Sequence, residues 1–275
     1  MKIPEISVII STYNQPDWLE KVLWSYEFQK FKNFELLIAD DGSQEETANL
    51  IRTLKAKLSF PIQHVWHEDQ GFRKTIILNK TIQKTNSPYL VFSDGDCVAR
   101  ADFLEKHMFY RDKGIFLSGG YFKLPKNISE QITIPVIKSQ VCFKAEWLRE
   151  KGMPSSFKLN KLSSSGFKEK FLNTITPTKA TWNGMNSSGW KDDIVAANGF
   201  DERMQYGGED RELGERLFNK GIKAKQIRYS AVCLHLYHER GYVKQEMIDK
   251  NKAIRKITKS QKIQRTSYGI EKLKS

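Results

Sequence analysis

The first hundred residues alternate short apolar runs with polar turns and amphipathic stretches. Residues 6–10 form a β-branched run, and apolar positions then recur at Leu19, Val22, Leu23 and Tyr26 with helical spacing. Three further apolar runs predict strands at residues 35–39, 62–66 and 89–93, and two more periodic stretches predict helices at 47–58 and 73–84. Strands that alternate with helices of this length predict an α/β fold, a Rossmann-like, mainly parallel open sheet flanked by helices.

The pattern loosens after residue 100. Residues 155–181 are rich in Ser, Lys, Asn and Thr with few periodic apolar positions, so they predict a mobile loop or lid that closes over a ligand. Regularity returns at residues 194–218 and in a predicted strand at 228–236. At 275 residues and 39% hydrophobic composition, the chain is long enough for one large domain with a substantial core.

The positive charge of the chain is confined to two segments. Of the formal net charge of +13, residues 121–181 contribute eleven basic and four acidic side chains, and residues 244–275 contribute ten and three. Such an excess indicates a surface that meets anionic lipid, an anionic glycan or nucleic acid, or simply solvated charge.

Cysteine usage and the N-terminus favour a reducing compartment. Cys97, Cys142 and Cys233 are an odd number without CxxC spacing, which argues against a disulfide framework and a structural zinc site. The N-terminal residues lack the apolar segment and cleavage site of a signal peptide. No stretch approaches the ~18 apolar residues that span a bilayer. The sequence therefore predicts a cytoplasmic protein, with any membrane contact peripheral.

Two acidic motifs follow predicted strands, where an open α/β sheet binds its ligands. Asp94, Gly95 and Asp96 come directly after the fourth strand, and a divalent ion held by these carboxylates would neutralise a diphosphate. A plain turn is the alternative. Asp40 and Asp41 follow the second strand and predict either an Asx turn that caps the next helix or a carboxylate that selects a base or ribose.

Two further clusters lie in the carboxyl-terminal half. Glu209 and Asp210 stand in the first turn of a predicted helix, where the helix dipole favours ionised carboxylates. This position suits a capping charge or a general base that takes a proton from a sugar hydroxyl. His235 and His238 close the predicted strand 228–236, where they are either structural or available to a metal and a phosphate.

The order of these motifs resembles the inverting glycosyltransferases of family two, which have the GT-A fold. The resemblance covers roughly residues 5–240 and rests on SVIISTYN at 7–14, ADDGS at 39–43, DGD at 94–96, and GFDE at 199–202 followed by GGED at 207–210. The carboxyl half is similar to the galactosyltransferase-type region of chondroitin-polymerase-like and lipopolysaccharide-core enzymes. There GMN at 184–186 precedes these elements and HLYH at 235–238 follows them.

The resemblance implies a domain organisation and a set of site residues. A glycosyltransferase domain would span residues 1–240, with a nucleotide-binding half at about 1–120 and an acceptor-binding half at about 121–240, before a basic helical tail at 241–275. Asp210 would be the catalytic base, and Glu209, in the same catalytic pair, would assist in acceptor or donor binding. The implied nucleotide-sugar ligands are Thr12, Tyr13, Asn14, Asp41, Arg73, Asp94, Gly95 and His238. The implied ligands of a Mn²⁺ or Mg²⁺ cofactor are Asp94, Asp96 and His235, and the implied contacts to the acceptor or donor sugar are Trp182, Asn186 and Gly208.

The implied activity is transfer of a sugar, with inversion, from a nucleotide-diphosphate sugar to a hydroxyl of a glycan or lipid-linked saccharide. UDP is the favoured nucleotide, and the implied setting is bacterial surface polysaccharide synthesis, such as lipopolysaccharide or capsule. A sugar-1-phosphate nucleotidyltransferase is one alternative, but it would need a glycine-rich basic loop where this chain has STYN at 11–14. A non-catalytic protein that binds nucleic acid through its basic tail is another; its acidic loops would repel phosphate, so nucleic acid is not an expected partner.

The basic tail has a pattern of its own. Ile248, Ile254, Ile257 and Ile263 lie among lysines in residues 244–275 and predict a weakly amphipathic basic helix. Such a helix either docks on the anionic inner face of the cytoplasmic membrane, where a lipid-linked acceptor would be found, or packs on its own domain.

Overall fold

The computed structural model of the chain describes residues 3–239, 241 and 243–272. The ends of the predicted domain and tail, residues 1, 2, 240, 242 and 273–275, lie outside the described residues. The strands are β1 (Ile6–Thr12), β2 (Phe34–Asp40), β3 (Ile62–Trp66), β4 (Tyr89–Asp94), β5 (Cys97–Ala99), β6 (Ile115–Lys123), β7 (Ser187–Trp190) and β8 (Lys223–His235). They form one sheet in the order β3-β2-β1-β4-β7-β6-β8-β5.

The helices connect these strands and cover both faces of the sheet. They are α1 (Pro16–Glu27), α2 (Glu45–Lys57), α3 (Lys74–Lys84), α4 (Phe103–Tyr110), α5 (Lys126–Glu130), α6 (Ile134–Ser139), α7 (Ala145–Glu150), α8 (Asn160–Ser163), α9 (Gly166–Ile175), α10 (Lys191–Ala196), α11 (Glu209–Asn219) and α12 (Gln245–Ser260). Short 3₁₀ helices lie at Val141–Phe143 and Phe157–Leu159.

Pairing in the sheet is mainly parallel. β1 lies between β2 and β4 in parallel register, β3 pairs in parallel with β2, and β6 pairs in parallel with β8. β7 joins β4 to β6 in antiparallel register, and β5 pairs antiparallel with β8. The predicted α/β fold, a mainly parallel sheet flanked by helices, is confirmed.

Alternation along β1 divides the core into two layers. Ile6, Val8 and Ile10 pack with α1 and α2 on one face, whereas Ile9 packs with α3 and α11 on the other. Every residue of β1 and β2 is buried, because a parallel sheet covered by helices on both faces exposes neither side.

Asn186, predicted to contact a sugar, lies instead inside the sheet. It is fully buried, and its amide nitrogen donates to Gly120 O at 2.7 Å and to Ala231 O at 3.0 Å. Its Oδ1 lies 3.0 Å from His107 Nε2. A Cβ at Gly119 would meet Asn186 Oδ1 at 2.0 Å, so the glycine makes room for the amide. Asn186 stabilises the irregularity between β6 and β8 and has no exposed surface to offer a ligand.

Trp182, also predicted to contact a sugar, belongs to the core. Its ring lies against those of Phe92 and Phe116, with centroids 5.4 and 5.5 Å apart. The side chain is fully buried, so neither face of the indole can stack on a sugar. The prediction was wrong because aromatic residues serve both cores and sugar sites, and sequence alone does not separate the two roles.

The prediction of a loop at residues 155–181 was wrong for its central part. Residues 166–175 form α9, whose inward contacts are largely polar. The carboxylate of Glu169 accepts from Lys106 Nζ at 3.0 Å, and Asn173 bonds to β8. Only Leu172 is a buried apolar side chain of this helix. Polar residues at the inward positions hid the helical periodicity from the sequence pattern.

The tail contains α12, which packs on α11. Arg255 pairs with Glu215 at 2.5 Å, and Asn251 donates to Gln205 O at 2.8 Å. Ile254 and Ile257 line a cavity of about 160 Å³ between the tail and the domain. Ile248 also lies against the domain, since a Cβ at Gly207 would be 3.3 Å from its side chain, whereas Ile257 remains 48% exposed. Among the described residues, no helix is long and apolar enough to span a membrane.

We expect Trp182→Ala to lower the free energy of unfolding by about 3–5 kcal/mol, because it leaves a cavity between Phe92 and Phe116. Trp182→Phe should cost about 1–2 kcal/mol, since it keeps most of the buried area. Urea denaturation checks both values. A Trp182→Ala protein with unchanged stability and impaired sugar binding would restore the sequence-based role.

Candidate active site

The carboxyl ends of β1, β2 and β4 meet at one edge of the sheet, and β8 ends beside them. Ser11 and Asp94 are register partners across β1 and β4, and Gly95 N donates to Ser11 O at 2.8 Å. Leu236 N donates to Asp96 O at 2.8 Å, which joins the loop after β4 to the end of β8. Two motifs about 140 residues apart in the sequence therefore lie side by side.

Asp96, His235 and His238 form a cluster suited to a metal ion. One ligand atom from each lies within 4.8 Å of the others, and Asp96 Oδ2 is 3.1 Å from His238 Nε2 and 3.8 Å from His235 Nε2. Each imidazole has its Nδ1 near a backbone carbonyl, at 2.8 Å for His235 and 3.0 Å for His238. A neutral ring that donates from Nδ1 presents the lone pair of Nε2 to the centre of the cluster. The donor set thus fits a divalent cation.

Two predicted assignments change here. His238, predicted to bind the nucleotide sugar, lies in the metal-ligating cluster. Asp94, predicted as a metal ligand, lies outside this cluster and pairs with Lys74 Nζ at 2.7 Å. Its Oδ1 also accepts from Ser11 Oγ at 2.5 Å. Burial would raise the pKa of Asp94, but the Lys74 ammonium and the Ser11 hydroxyl hold it below its usual value.

Lys74 connects the motif after β4 to the acidic pair at the start of α11. Burial would lower the pKa of Lys74, but the carboxylates of Asp94, Glu209 and Asp210 together raise it, so the ammonium stays charged. A Cβ at Gly184 would lie 3.6 Å from Lys74 Nζ and 3.8 Å from Asp210 Cβ. The metal-ligating cluster and the acidic pair therefore belong to one continuous site.

Glu209 and Asp210 are both harder to ionise than usual. Burial and the neighbouring Asp210 raise the pKa of Glu209 to about 7, against the opposing effect of Lys74. Burial also raises the pKa of Asp210, although Gly184 N donates to its Oδ2 at 3.0 Å and Arg211 N to its Oδ1 at 2.7 Å. Gly208 enters α11 at φ +91°, which favours glycine there. Carboxylates with raised pKa values suit proton transfer near neutral pH.

The loops after β1, β2 and β3 are tied together by side chains predicted to bind the nucleotide. Tyr13 Oη donates to Asp69 Oδ2 at 2.8 Å. Asn14 N donates to Ser43 Oγ at 2.9 Å, and Asn14 Oδ1 accepts from Gln44 N at 2.8 Å. These bonds hold the loops in one arrangement.

Asp40 and Asp41 make different contacts. Asp40 Oδ1 accepts from Ser43 N at 2.8 Å, which is the Asx turn. Asp41 Oδ1 lies 2.7 Å from His67 Nε2, and its Oδ2 accepts from Arg73 N at 2.9 Å. Burial raises the pKa of Asp41. Asp41 retains acceptor capacity for a base or ribose, since each carboxylate oxygen has two lone pairs.

Lys74 and His67 were not among the residues predicted for the site, and the Arg73 side chain, predicted to bind the nucleotide sugar, makes another contact. The Arg73 side chain bonds to Gln70 Oε1, so the basic group beside Asp94 is that of the next residue, Lys74. Lys74 is the first residue of α3, at the edge where the strands end, and that position was the available signal. Thr12 and Gly95, both predicted to bind the nucleotide sugar, are neighbours, since a Cβ at Gly95 would be 3.0 Å from Thr12 Oγ1.

Two family models match this chain. Residues 7–117 match the model described as glycosyl transferase family 2, and residues 175–239 match the model described as the N-terminal domain of galactosyltransferase. The resemblance to family two glycosyltransferases is therefore confirmed.

Three named proteins are similar to this chain in sequence. The chain is 26% identical over 245 residues to validoxylamine A glucosyltransferase of Streptomyces hygroscopicus subsp. jinggangensis, covering 83% of this chain and 54% of that protein. It is 25% identical over 243 residues to chondroitin synthase of Escherichia coli, covering 85% and 35%. It is 29% identical over 105 residues to the putative teichuronic acid biosynthesis glycosyltransferase TuaG of Bacillus subtilis, covering 38% and 41%. The chain thus spans about half or less of the length of these relatives.

Solved structures share the fold. S. aureus TarS 1-349 in complex with UDP matches with a TM-score of 0.62 at 15% identity, covering 94% of this chain and 68% of that chain. The mannosyltransferase PcManGT from Pyrobaculum calidifontis, in complex with GDP-Man and Mn2+, matches with a TM-score of 0.58 at 17% identity, covering 88% and 59%. The fold of this chain is GT-A.

We expect the chain to bind Mn²⁺, and His238→Ala to weaken binding at least about tenfold by removing one of three ligands. Isothermal titration calorimetry measures the change. His64→Ala is the matched control, because His64 contacts Asp40 and is not part of the metal-ligating cluster. Equal affinity in the wild type and His238→Ala would show that the cluster is not a metal site.

We expect Glu209→Gln to stabilise the protein more at pH 8 than at pH 5, by about 1–3 kcal/mol. The folded chain keeps the Glu209 proton up to about pH 7, whereas an ordinary glutamate releases it near 4.5. The folded state therefore binds more protons in this window, and wild-type stability falls as pH rises through it. Because glutamine stays neutral, the Glu209→Gln variant does not lose stability as the pH rises through this window.

Urea denaturation at both pH values measures this difference. Glu46→Gln removes an exposed carboxylate from α2 and serves as the control. A stability difference that is the same at pH 5 and pH 8 would contradict the raised pKa of Glu209.

Proposed function

We propose that this protein is a divalent-metal-dependent, inverting glycosyltransferase that uses a nucleotide-diphosphate sugar, with UDP as the nucleotide. The observation that carries the proposal is the continuity of the site. The metal-ligating cluster of Asp96, His235 and His238 adjoins the Asp94–Lys74 ion pair, which in turn reaches the acidic pair on α11. A leaving diphosphate is stabilised by positive charge, whereas an acceptor hydroxyl needs a base that takes its proton. Both kinds of group lie at this edge of the sheet.

The loops after β1, β2 and β3 would bind the nucleoside. Thr12, Tyr13, Asn14 and Asp41 lie on these loops, which hydrogen bonds already hold in place. Preorganisation of this kind lowers the entropy that donor binding must offset and fixes the anomeric carbon for attack.

The chemistry would be a single displacement at the anomeric carbon. The acceptor oxygen forms a bond to that carbon as the bond to the diphosphate oxygen breaks, and Asp210 takes the hydroxyl proton. Asp96, His235 and His238 would hold a Mn²⁺ or Mg²⁺ ion, which when bound supplies positive charge to the diphosphate. Lys74 keeps Asp94 ionised and opposes the rise in pKa of the acidic pair, and Glu209 would bind a sugar hydroxyl.

The acceptor would be a hydroxyl of a glycan or a lipid-linked saccharide in surface polysaccharide synthesis. Relatives named for chondroitin synthesis and teichuronic acid synthesis support this setting. The proposed location is the cytoplasm, at the inner face of the membrane for a lipid-linked acceptor. The three cysteines are free thiols, which agrees with a reducing compartment.

We expect Mn²⁺-dependent turnover of a UDP-sugar, and Asp210→Asn to lower kcat by about 10²–10⁴ because the base is lost. The rate should rise with pH, because burial raises the pKa of Asp210 and a protonated carboxyl cannot act as the base. A panel of UDP- and GDP-sugars, assayed for hydrolysis and transfer with and without Mn²⁺, measures turnover. NMR of the product gives the anomeric configuration.

Asp249→Asn, an exposed substitution on α12, is the control and should retain full activity. Full turnover in both Asp210→Asn and Asp96→Asn would contradict the proposed mechanism. A product with retained anomeric configuration would exclude inversion. Release of pyrophosphate from UTP and a sugar 1-phosphate, without sugar transfer, would identify a nucleotidyltransferase instead.

A further inference from the structure

The outward face of α9 carries a stripe of large apolar side chains. Phe167, Phe171 and Ile175 follow one another at intervals of four residues, so they lie on one side of the helix. They are 84%, 51% and 54% exposed. The rings of Phe167 and Phe171 stack on each other, with centroids 6.3 Å apart. Phe157, in the preceding 3₁₀ helix, is 68% exposed. Contiguous exposed apolar side chains of this size indicate an interaction surface.

These phenylalanines are not needed to hold the helix on the domain. Its inward face makes the ion pair between Glu169 and Lys106 at 3.0 Å. Asn173 Nδ2 donates to Ser230 Oγ at 2.7 Å, and Asn173 Oδ1 accepts from Tyr229 N at 2.9 Å. The helix is therefore fixed on β8 with its apolar stripe directed outward.

The exposed charged side chains that residues 155–181 place around the stripe are positive. Four exposed lysines lie in or near α9, namely Lys158, Lys168, Lys170 and Lys179. On the helix, Lys168 and Lys170 flank the stripe on its two sides. The one acidic residue between positions 155 and 181 is Glu169, which points inward to Lys106. The outward surface thus combines phenyl rings and ammonium groups without a carboxylate from this segment.

We propose that this surface, hereafter the α9 surface (Phe157, Phe167, Phe171, Ile175 and the four lysines), docks on an anionic phospholipid membrane. Phenyl and isoleucine side chains would enter the boundary between headgroups and acyl chains, and the ammonium groups would meet lipid phosphates. A second copy of the chain would bring lysines against lysines, which like charges disfavour. An anionic soluble glycan would leave the apolar stripe without a partner.

The location of the α9 surface is compatible with catalysis at a membrane. α9 contacts β8 at Tyr229 and Ser230, six and five residues before His235. At about 3.3 Å per residue, this contact lies roughly 17 Å along the strand from the metal-ligating cluster. Docking there would leave the site edge of the sheet uncovered. The inference stands on the exposed side chains and their charge and does not depend on the proposed reaction.

The test is co-sedimentation of the full chain with lipid vesicles. One set is phosphatidylcholine alone, and in the other about one lipid in three is phosphatidylglycerol. The wild type should bind the anionic vesicles, less at higher ionic strength, and bind the neutral vesicles weakly. Phe167→Ser/Phe171→Ser should lower the partition coefficient at least about tenfold by removing the inserted rings. Lys168→Gln/Lys170→Gln should lower it about tenfold or more by removing two charges near the headgroups.

Lys250→Gln/Lys256→Gln removes the same charge from exposed positions of α12 and is the matched control. It should change the partition coefficient less than about twofold. Thermal denaturation of each variant verifies that the fold is intact, and the two α9 variants test the surface by independent changes.

Several results would overturn the inference. These are absence of wild-type binding to anionic vesicles, equal binding by the phenylalanine variant, and an equal loss in the α12 control. Conversion of a dimer to a monomer by Phe167→Ser/Phe171→Ser, with vesicle binding unchanged, would assign the α9 surface to contact between copies.

Discussion

The placement of one ammonium group among carboxylates is the interaction on which the site depends. Lys74 lies between Asp94 and the pair of Glu209 and Asp210, at a sheet edge where side chains are largely withdrawn from water. Charges of like sign repel strongly in such a low-dielectric setting. The ammonium keeps Asp94 ionised, and it limits the rise that burial causes in the pKa values of Glu209 and Asp210. Loss of that charge would therefore alter all three carboxyl groups together.

The rest of the site edge is built by contacts between loops. Gly42 has φ +96°, and a Cβ there would lie 2.6 Å from the Asp69 backbone. Only glycine allows the loop after β2 to approach the loop after β3 so closely. The bonds from Tyr13 to Asp69 and from Asp41 to His67 then close the arrangement. In the proposed reaction, this rigidity would contribute through positioning of the donor rather than through chemistry.

The carboxyl-terminal half shows how polar contacts can replace an apolar interface. α9 is held by Glu169 and Asn173, and α12 by Asn251 and Arg255. Such helices leave apolar side chains free for another use, as on α9, or direct them into a small cavity, as on α12. α9 exposes three large apolar side chains in one stripe, whereas Ile257 is the exposed large apolar side chain of α12.

The sequence by itself determined the first four strands of the sheet and the motifs along its edge. β-branched runs and helical periodicity are local properties, so β1 to β4 and α1 to α3 followed from them, as did the acidic motifs at the strand ends. Tertiary structure alone decided which side chains meet. It placed His238 beside Asp96, paired Asp94 with Lys74 in an ion pair, and buried Trp182 in the core. It also turned α9 so that its polar residues face inward. The physical reason is that these outcomes depend on contacts between segments far apart in the chain, which local spacing does not encode.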